Sequence, residues 1–304
     1  MYTEYTSVEL PLINTLAKLG WSFIHPHELE ATGRTVYDHI VPSIFKEAFL
    51  RINPILSQSD AKIILERLRR VESDEEFYSW LSGDETYKPS IDDKAINIKL
   101  VDTLDIHNNT FNVTNQYKTA VTNPDNAEKH IKPDVVLLVN GIPLTIIECK
   151  VLTTENSTWE EGIKQIDRYI RTTPKLFKYN AFNISTDGFN YKYGATKSPK
   201  SYFMEWKNAK NEVVSLETDS EFQKFRVAQE KTYNPFIDRQ VYRMLHPETY
   251  IDIIKNFIVF ETEENATIKK ICRYQQYRAV NKIIDRVVSG QQKNRIDMAC
   301  TRKW

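Results

Sequence analysis

The chain has 304 residues, 41% of them hydrophobic and 27% charged, with 41 basic and 41 acidic side chains and a formal net charge of zero. This composition fits a soluble globular protein with one large domain or two smaller ones. It excludes a nucleic-acid binder driven by bulk charge, so such a partner would need a local basic stripe. No run approaches the roughly 20 apolar residues of a membrane span. The opening MYTEYTSVEL has no basic segment followed by an apolar one, so no secretory signal is expected. Cys149, Cys272 and Cys300 are odd in number and widely spaced. Reduced thiols and a cytoplasmic location are the expectation, with no membrane partner.

In chain order, residues 6–20 predict an amphipathic helix, with Thr6 and Glu9 as a capping box and Gly20 as its stop. Further helices are predicted over 36–52 and 58–72, followed by loop through LSGDETYKPSIDD. From residue 95 the period changes to two: AINIKLVD is a strand candidate, and TFNVTNQYKTAV alternates Phe111, Val113, Asn115 and Tyr117. A helix at 157–172 and a strand–turn–strand around Asp187-Gly188 come next, then a short strand at SYFMEW and a helix in VSLETDSEFQKFRVAQE. From about 232 the pattern predicts nearly continuous helix, so a domain boundary is expected near 235.

Between these lies PDVVLLVNGIPLTIIECK, residues 133–150. Asn140-Gly141 between two apolar runs predicts a hairpin. A two-residue loop pairs Val139 with Ile142 and sets Asp134 against Ile147. A three-residue connection pairs Val139 with Pro143 and sets Asp134 opposite Glu148. Pro143 lacks an N–H and disfavours a tight ladder beside the turn, so the second register is expected. It gathers Asp134, Glu148 and Lys150 on one face and turns Cys149 to the other. Two facing carboxylates repel, and a divalent cation such as Mg²⁺ with oxygen ligands resolves the repulsion. A rim salt bridge between Lys150 and the two acids is the plainer alternative.

Pro133-Asp134, thirteen intervening residues and Glu148-Cys149-Lys150 resemble the PD-(D/E)xK nuclease signature. With NQYKTAV upstream, then QIDRY, STDGFNYKYG and Trp206, the order resembles the N-terminal nuclease domain of the R (restriction, motor) subunit of type I restriction enzymes. The resemblance implies an α/β restriction-endonuclease-like core over 1–235, a mixed sheet flanked by helices. A helical start of a helicase-like motor domain would follow over 236–304. It implies Mg²⁺-dependent cleavage of double-stranded DNA, with methyltransferase and specificity subunits as partners and ATP used only by the full-length motor subunit. Asp134 and Glu148 would hold the metal, with the Cys149 carbonyl as third ligand, and Lys150 would orient the water. Cys149 departs from the aliphatic residue more usual at that place.

In the helix after the hairpin, Ile163, Ile166 and Ile170 form a core stripe, and Lys164, Arg168 and Arg171 a basic one suited to phosphates. Gln165 and Tyr169 match the family's QxxxY motif, which supports cleavage there. Glu9 is a further candidate beside the metal, since first-helix glutamates serve so in related nucleases. His25 and His27 lack further ligands, and His130 could flank the site. Gln276, within RYQQYRAV, resembles the adenine-reading glutamine of superfamily 2 helicases, but no Gly-x-x-x-x-Gly-Lys-Ser/Thr loop is present. The end NRIDMACTRKW fits nothing in the family, so a truncated or altered end is expected. A silent docking or DNA-binding module is the rival reading. A glycosidase-type carboxylate pair is a third, disfavoured by Lys150 beside Glu148.

Overall fold

A computed structural model describes residues 3–90, 94–122, 129–151, 158–206, 238–263 and 266–289. Its centre is a mixed six-stranded sheet in the order β1-β4-β7-β8-β9-β10. The strands are β1 Ser22–Phe23, β4 Phe111–Asn115, β7 Val135–Val139, β8 Ile142–Cys149, β9 Phe182–Thr186 and β10 Tyr191–Ala195. β4, β7, β8 and β9 are buried at every position. That is why β7 and β8 read as unbroken apolar runs, and why β4 shows no inside–outside alternation despite its sequence pattern. β8 and β9 run parallel. Parallel neighbours need a crossover, provided by α6 (Trp159–Thr172) and α7 (Pro174–Phe177).

The sheet separates two apolar layers. Val135, Leu137, Val139, Ile147 and Cys149 face one core, which also holds Leu12, Leu16, Phe45, Phe49, Leu65 and Phe77. Val136, Leu138 and Ile146 face the other, closed by Ile166, Tyr169 and Leu176. The first core packs α1 (Leu10–Lys18), α3 (Pro42–Ile52), α4 (Gln58–Arg70) and α5 (Asp74–Ser82) against the sheet. The helix predicted from residue 36 begins only at Pro42, which serves as its first-turn proline. Ser57 and Asp60 cap α4 reciprocally, at 2.8 and 3.3 Å. α5 is an addition to the helices that the sequence pattern predicts. Ser73 accepts the Glu76 N–H at its start, and Gly83 (φ +81°) ends it in the left-handed conformation that glycine tolerates. α2 is Pro26–Ala31, and two ribbons, β2 (Thr86–Tyr87) with β3 (Ile96–Asn97) and β5 (Thr119–Ala120) with β6 (His130–Ile131), lie outside the sheet. Only Ile96–Asn97 of the strand expected in AINIKLVD forms.

The later part departs from expectation. SYFMEW makes a 3₁₀ turn over Lys200–Tyr202 and a single bridge, Tyr193 to Met204, rather than a strand. The helix expected in VSLETDSEFQKFRVAQE lies outside the described residues, as do 294–304. The continuous helix expected after 232 is broken: α8 (Asp238–Met244) and α9 (Pro247–Asn256) are followed by an antiparallel hairpin, β11 (Ile258–Glu263) with β12 (Ala266–Ile271), before α10 (Tyr274–Val288). Ile258, Val259 and Phe260 form a short apolar run, which between two helical segments its period does not assign to strand or helix. Val241, Met244, Leu245, Tyr250 and Ile254 enter the first core, and Trp21 Nε1 donates to the Leu245 carbonyl at 2.8 Å. Lys269 is buried, paired with Asp74 at 2.8 Å, and donates to the Asn180 carbonyl at 2.7 Å. Among the described residues no helix is long and apolar enough to cross a membrane.

Candidate active site

The site is built at the end of the β7–β8 hairpin away from its turn. The turn has two residues, with Val139 against Ile142, and Asn140 (φ +51°) and Gly141 (φ +77°) both left-handed, as a type I′ turn requires. The three-residue connection is therefore not adopted. A Cβ on Gly141 would lie 2.8 Å from the Val41 carbonyl and 2.9 Å from Phe45 N, so only glycine lets α3 begin on this turn. The register shifts further along. Leu138 faces Pro143, but Leu137 faces Thr145, leaving Leu144 as an extra residue. From there Val135 faces Ile147, and the next positions out, Asp134 and Glu148, meet. The bulge restores the pairing that the turn alone would have missed. The Asp134 N–H donates to Glu148 Oε1 at 3.3 Å, and Asp134 Oδ2 accepts from the Cys149 N–H at 2.8 Å.

Lys150 reaches back into this pair. Its Nζ is 3.7 Å from Asp134 Oδ2, 3.7 Å from Glu148 Oε2 and 3.6 Å from Glu4 Oε1, and it donates to the Cys149 carbonyl at 2.7 Å. Glu148 is fully buried against α6, where Gly162 leaves room for it: a Cβ there would overlap Ser185 Oγ and lie 3.4 Å from Glu148 Cβ. Burial, then the charge of Asp134, push the Glu148 carboxyl well above the usual carboxylate range. Burial alone would lower the Lys150 ammonium, but Glu148, Asp134 and Glu4 outweigh it and hold it above its ordinary value. Cys149 points into the first core, and burial pushes its thiol up, as befits a packing residue rather than a nucleophile.

Glu4 escaped the sequence reading, and local backbone geometry explains why. Residues five apart diverge by about 140° around an α-helix. The chain over Tyr5–Glu9 instead forms a π-turn, with the Leu10 N–H bonded to the Tyr5 carbonyl. Bonding of this i→i+5 kind brings residues five apart back into line. Glu4, Glu9 and Asp134 each offer a carboxylate oxygen, and these oxygens lie within 4.8 Å of one another. Glu9 stands at the N-cap of α1 but makes no side-chain cap hydrogen bond, and Thr6 exchanges hydrogen bonds with Thr3, so the expected Thr6–Glu9 capping box does not form. Glu9 is 3% exposed, with the Gln116 and Asn115 side chains acting on it, while its Oε2 has no hydrogen-bond partner. Burial, then Asp134, raise its carboxyl to about 7. Gln116 itself is left-handed (φ +48°), and its N–H bonds the Asp134 carbonyl at 3.0 Å. Strain of this kind in a non-glycine residue clusters at functional sites.

The remaining candidates fall at varied distances from the acids. Gln165 donates to the Tyr169 hydroxyl at 2.7 Å, which in turn donates to the Lys132 carbonyl at 3.4 Å, so this pair braces the segment leading to Asp134. Burial and the Glu148 charge push the Tyr169 hydroxyl up. Lys164 is tied to Glu161 at 2.6 Å, Arg168 lies over the Tyr169 ring at 5.2 Å, and the Arg171 charge acts on Asp167. Gln276 Oε1 accepts the Arg273 N–H at 2.7 Å and so caps α10. His25 and His27 stack on each other at 5.3 Å, and His25 with Glu28 caps α2.

The family described as "Type I restriction enzyme R protein N terminus" matches residues 1–202. The chain belongs to that family. It is 30% identical over 285 residues to the putative type I restriction enzyme MjaVIIIP endonuclease subunit of Methanocaldococcus jannaschii, covering 90% of this chain and 25% of that protein. It is 26% identical over 297 residues to the type I restriction enzyme HindI endonuclease subunit of Haemophilus influenzae, covering 92% of this chain and 26% of the relative. The chain thus spans about a quarter of the length of these relatives. Asp134, Glu148, Lys150, Gln165 and Tyr169 all lie inside the stretch that the family matches.

Proposed function

We propose that this chain is the nuclease part of a type I restriction R subunit, with a restriction-endonuclease-like core that hydrolyses DNA phosphodiester bonds with Mg²⁺. The observation that carries the reading is the convergence of Asp134, Glu148 and Lys150 at the hairpin's end, beside Glu9 Oε2, a sealed carboxylate oxygen with no hydrogen-bond partner. Buried acceptors without a donor are costly, and oxygen-only donor sets suit a hard divalent cation. Asp134 and Glu148 would hold it with the Cys149 carbonyl, and Glu9 stands close enough to contribute. A cation bound there polarises a phosphoryl oxygen and acidifies a water.

The chain's own groups do the rest. Lys150 places the attacking water and offsets charge developing on the phosphoryl group. Gln165 and Tyr169 hold the Lys132 carbonyl and hence the approach to Asp134. Methyltransferase and specificity subunits would be the partners in a cytoplasmic complex, and ATP would be used by the motor part of a full-length subunit. A silent docking module is the second reading, favoured by the way Lys150 already neutralises the acids.

Calorimetric titration with Mn²⁺ separates them. Asp134→Ala is expected to abolish binding, and Lys150→Ala to leave it intact or tighter, because a nearby positive charge is removed. In a full-length subunit assembled with its partners, Lys150→Ala should reduce cleavage by about 100- to 1000-fold, the usual effect of losing one such electrostatic group. Absence of Mn²⁺ binding by the unaltered protein, or cleavage undiminished in Lys150→Ala, would sink the nuclease reading.

A further inference from the structure

Next to the acids lies a cleft of about 250 Å³ lined by Arg34, Asn115, Gln116, Lys118, Lys132 and Glu30. Its cations are arranged at a cost. Thr119 faces Ile131 in the β5–β6 ribbon, and continuing that register sets Lys118 opposite Lys132. Like charges directly across an antiparallel pair destabilise it. Arg34 is 8% exposed, with its guanidinium 3.8 Å from the Tyr117 ring centroid. Its Nη2 donates to the Lys118 carbonyl at 3.1 Å, while its Nε is sealed from solvent and has no acceptor. Buried charges are normally paired. Arg34 also donates to Thr119 Oγ1 at 3.4 Å and its charge acts on Asp38, but among the described residues none of these three cations forms a salt bridge.

The cleft is mechanically joined to the acids. Gln116 lines it, its side chain acts on the Glu9 carboxyl and its N–H bonds the Asp134 carbonyl at 3.0 Å. Lys132 stands two residues before Asp134, with its carbonyl held by Tyr169. An anion entering the cleft would relieve the Lys118–Lys132 repulsion, on the strap whose Gln116 N–H holds the Asp134 carbonyl.

We propose that this cleft is a phosphate subsite, gripping the DNA backbone beside the bond to be cut. The assignment rests on the nuclease reading for its substrate but not for its measurement. The basic stripe of α6 is less suited to the task, since Lys164 is already paired with Glu161 and Arg168 already stacks on Tyr169.

The test is fluorescence anisotropy of a labelled DNA duplex with the whole 304-residue chain in EDTA, over a series of salt concentrations. The double variant Lys118→Ala/Lys132→Ala removes two half-exposed or exposed side chains and should fold. It is expected to bind DNA about tenfold or more weakly, with the salt slope reduced by about 2, roughly one for each phosphate no longer neutralised. Mn²⁺ affinity should be retained or slightly tighter, because nearby positive charges are removed. Lys62→Ala, on the exposed face of α4, serves as the comparison for general charge and should leave affinity and slope alone. An unaltered slope in the double variant, an equal loss in Lys62→Ala, or no salt-dependent DNA binding by the unaltered protein would overturn the proposal. So would stabilisation by millimolar inorganic phosphate that the double variant abolishes while DNA affinity stays unchanged, which would assign the cleft to a free anion. Failure of Mn²⁺ to bind the acids would remove the nuclease reading and leave the anisotropy result standing.

Discussion

Glu9→Gln should make the metal-free protein more stable at alkaline pH and scarcely change it in acid. The Glu9 carboxyl is 3% exposed and is raised from its ordinary 4.5 to about 7, first by burial and then by Asp134. Below pH 4.5 it is protonated in both the folded and unfolded chain and contributes nothing. Between 4.5 and about 7 the unfolded chain gives up its proton first, so stability falls as pH rises. Above about 7 the loss is complete, and the gap corresponds to roughly 3 kcal/mol. Glutamine has the shape of the protonated acid and cannot ionise, so the variant escapes this cost. Urea unfolding in EDTA should therefore show Glu9→Gln gaining up to about 3 kcal/mol at pH 8 and close to nothing at pH 4.5. Mn²⁺ should stabilise the unaltered protein at pH 8 more than the variant, since the variant offers one fewer charged oxygen. Equal destabilisation of Glu9→Gln at both pH values would refute the argument, because it would mean that the carboxylate is ionised and fully paired without metal.

Gly162→Ala should destabilise the fold by about 1–3 kcal/mol although alanine is the better helix former by about 1 kcal/mol. The added methyl would overlap Ser185 Oγ and lie 3.2 Å from Ser185 Cβ, breaking the 2.7 Å bond from that hydroxyl to the Trp159 carbonyl; urea unfolding reads the outcome, and a stabilised variant would disprove the packing. His39 is buried beside Arg34 and Lys175, with its imidazole lowered to about 4 from an ordinary 6.5. The unfolded chain thus takes up its proton first as pH falls, so stability is lost from about 6.5 down to about 4, by roughly 3 kcal/mol. His39→Gln should flatten that part of the pH–stability curve, and an unchanged slope would show that other groups set it.

The most legible element was the hairpin. Asn140-Gly141 carries left-handed turn chemistry in two residues, and such a signal depends on little else. The helix α6 was legible too, because Ile163, Ile166 and Ile170 repeat near the helical period, with Ile163 buried and Ile166 and Ile170 packed in the second core. The register was harder. Both turn lengths considered from the sequence assume a regular ladder, and the bulge at Leu144 lies in a run buried on both faces, where no alternation marks an extra residue. The hairpin β11–β12 was lost between two helical segments for a related reason: short apolar runs do not distinguish strand from helix by period alone.

The chain order by itself determined that an acid, thirteen residues, then an acid and a lysine would stand on neighbouring strands, and it determined the family. Local chemistry sufficed for both, because turn residues and motif spacing act over short stretches of chain. Only the tertiary structure decided which charges share the site. Glu4 arrives by a π-turn that no helical period anticipates, Gln116 by a left-handed residue on the strap after β4, and Lys118 and Lys132 by a short ribbon beside it. Each of these placements joins residues far apart in sequence, and electrostatic energy depends on distance in space and on burial. Those two quantities exist only once the sheet and its helices have packed.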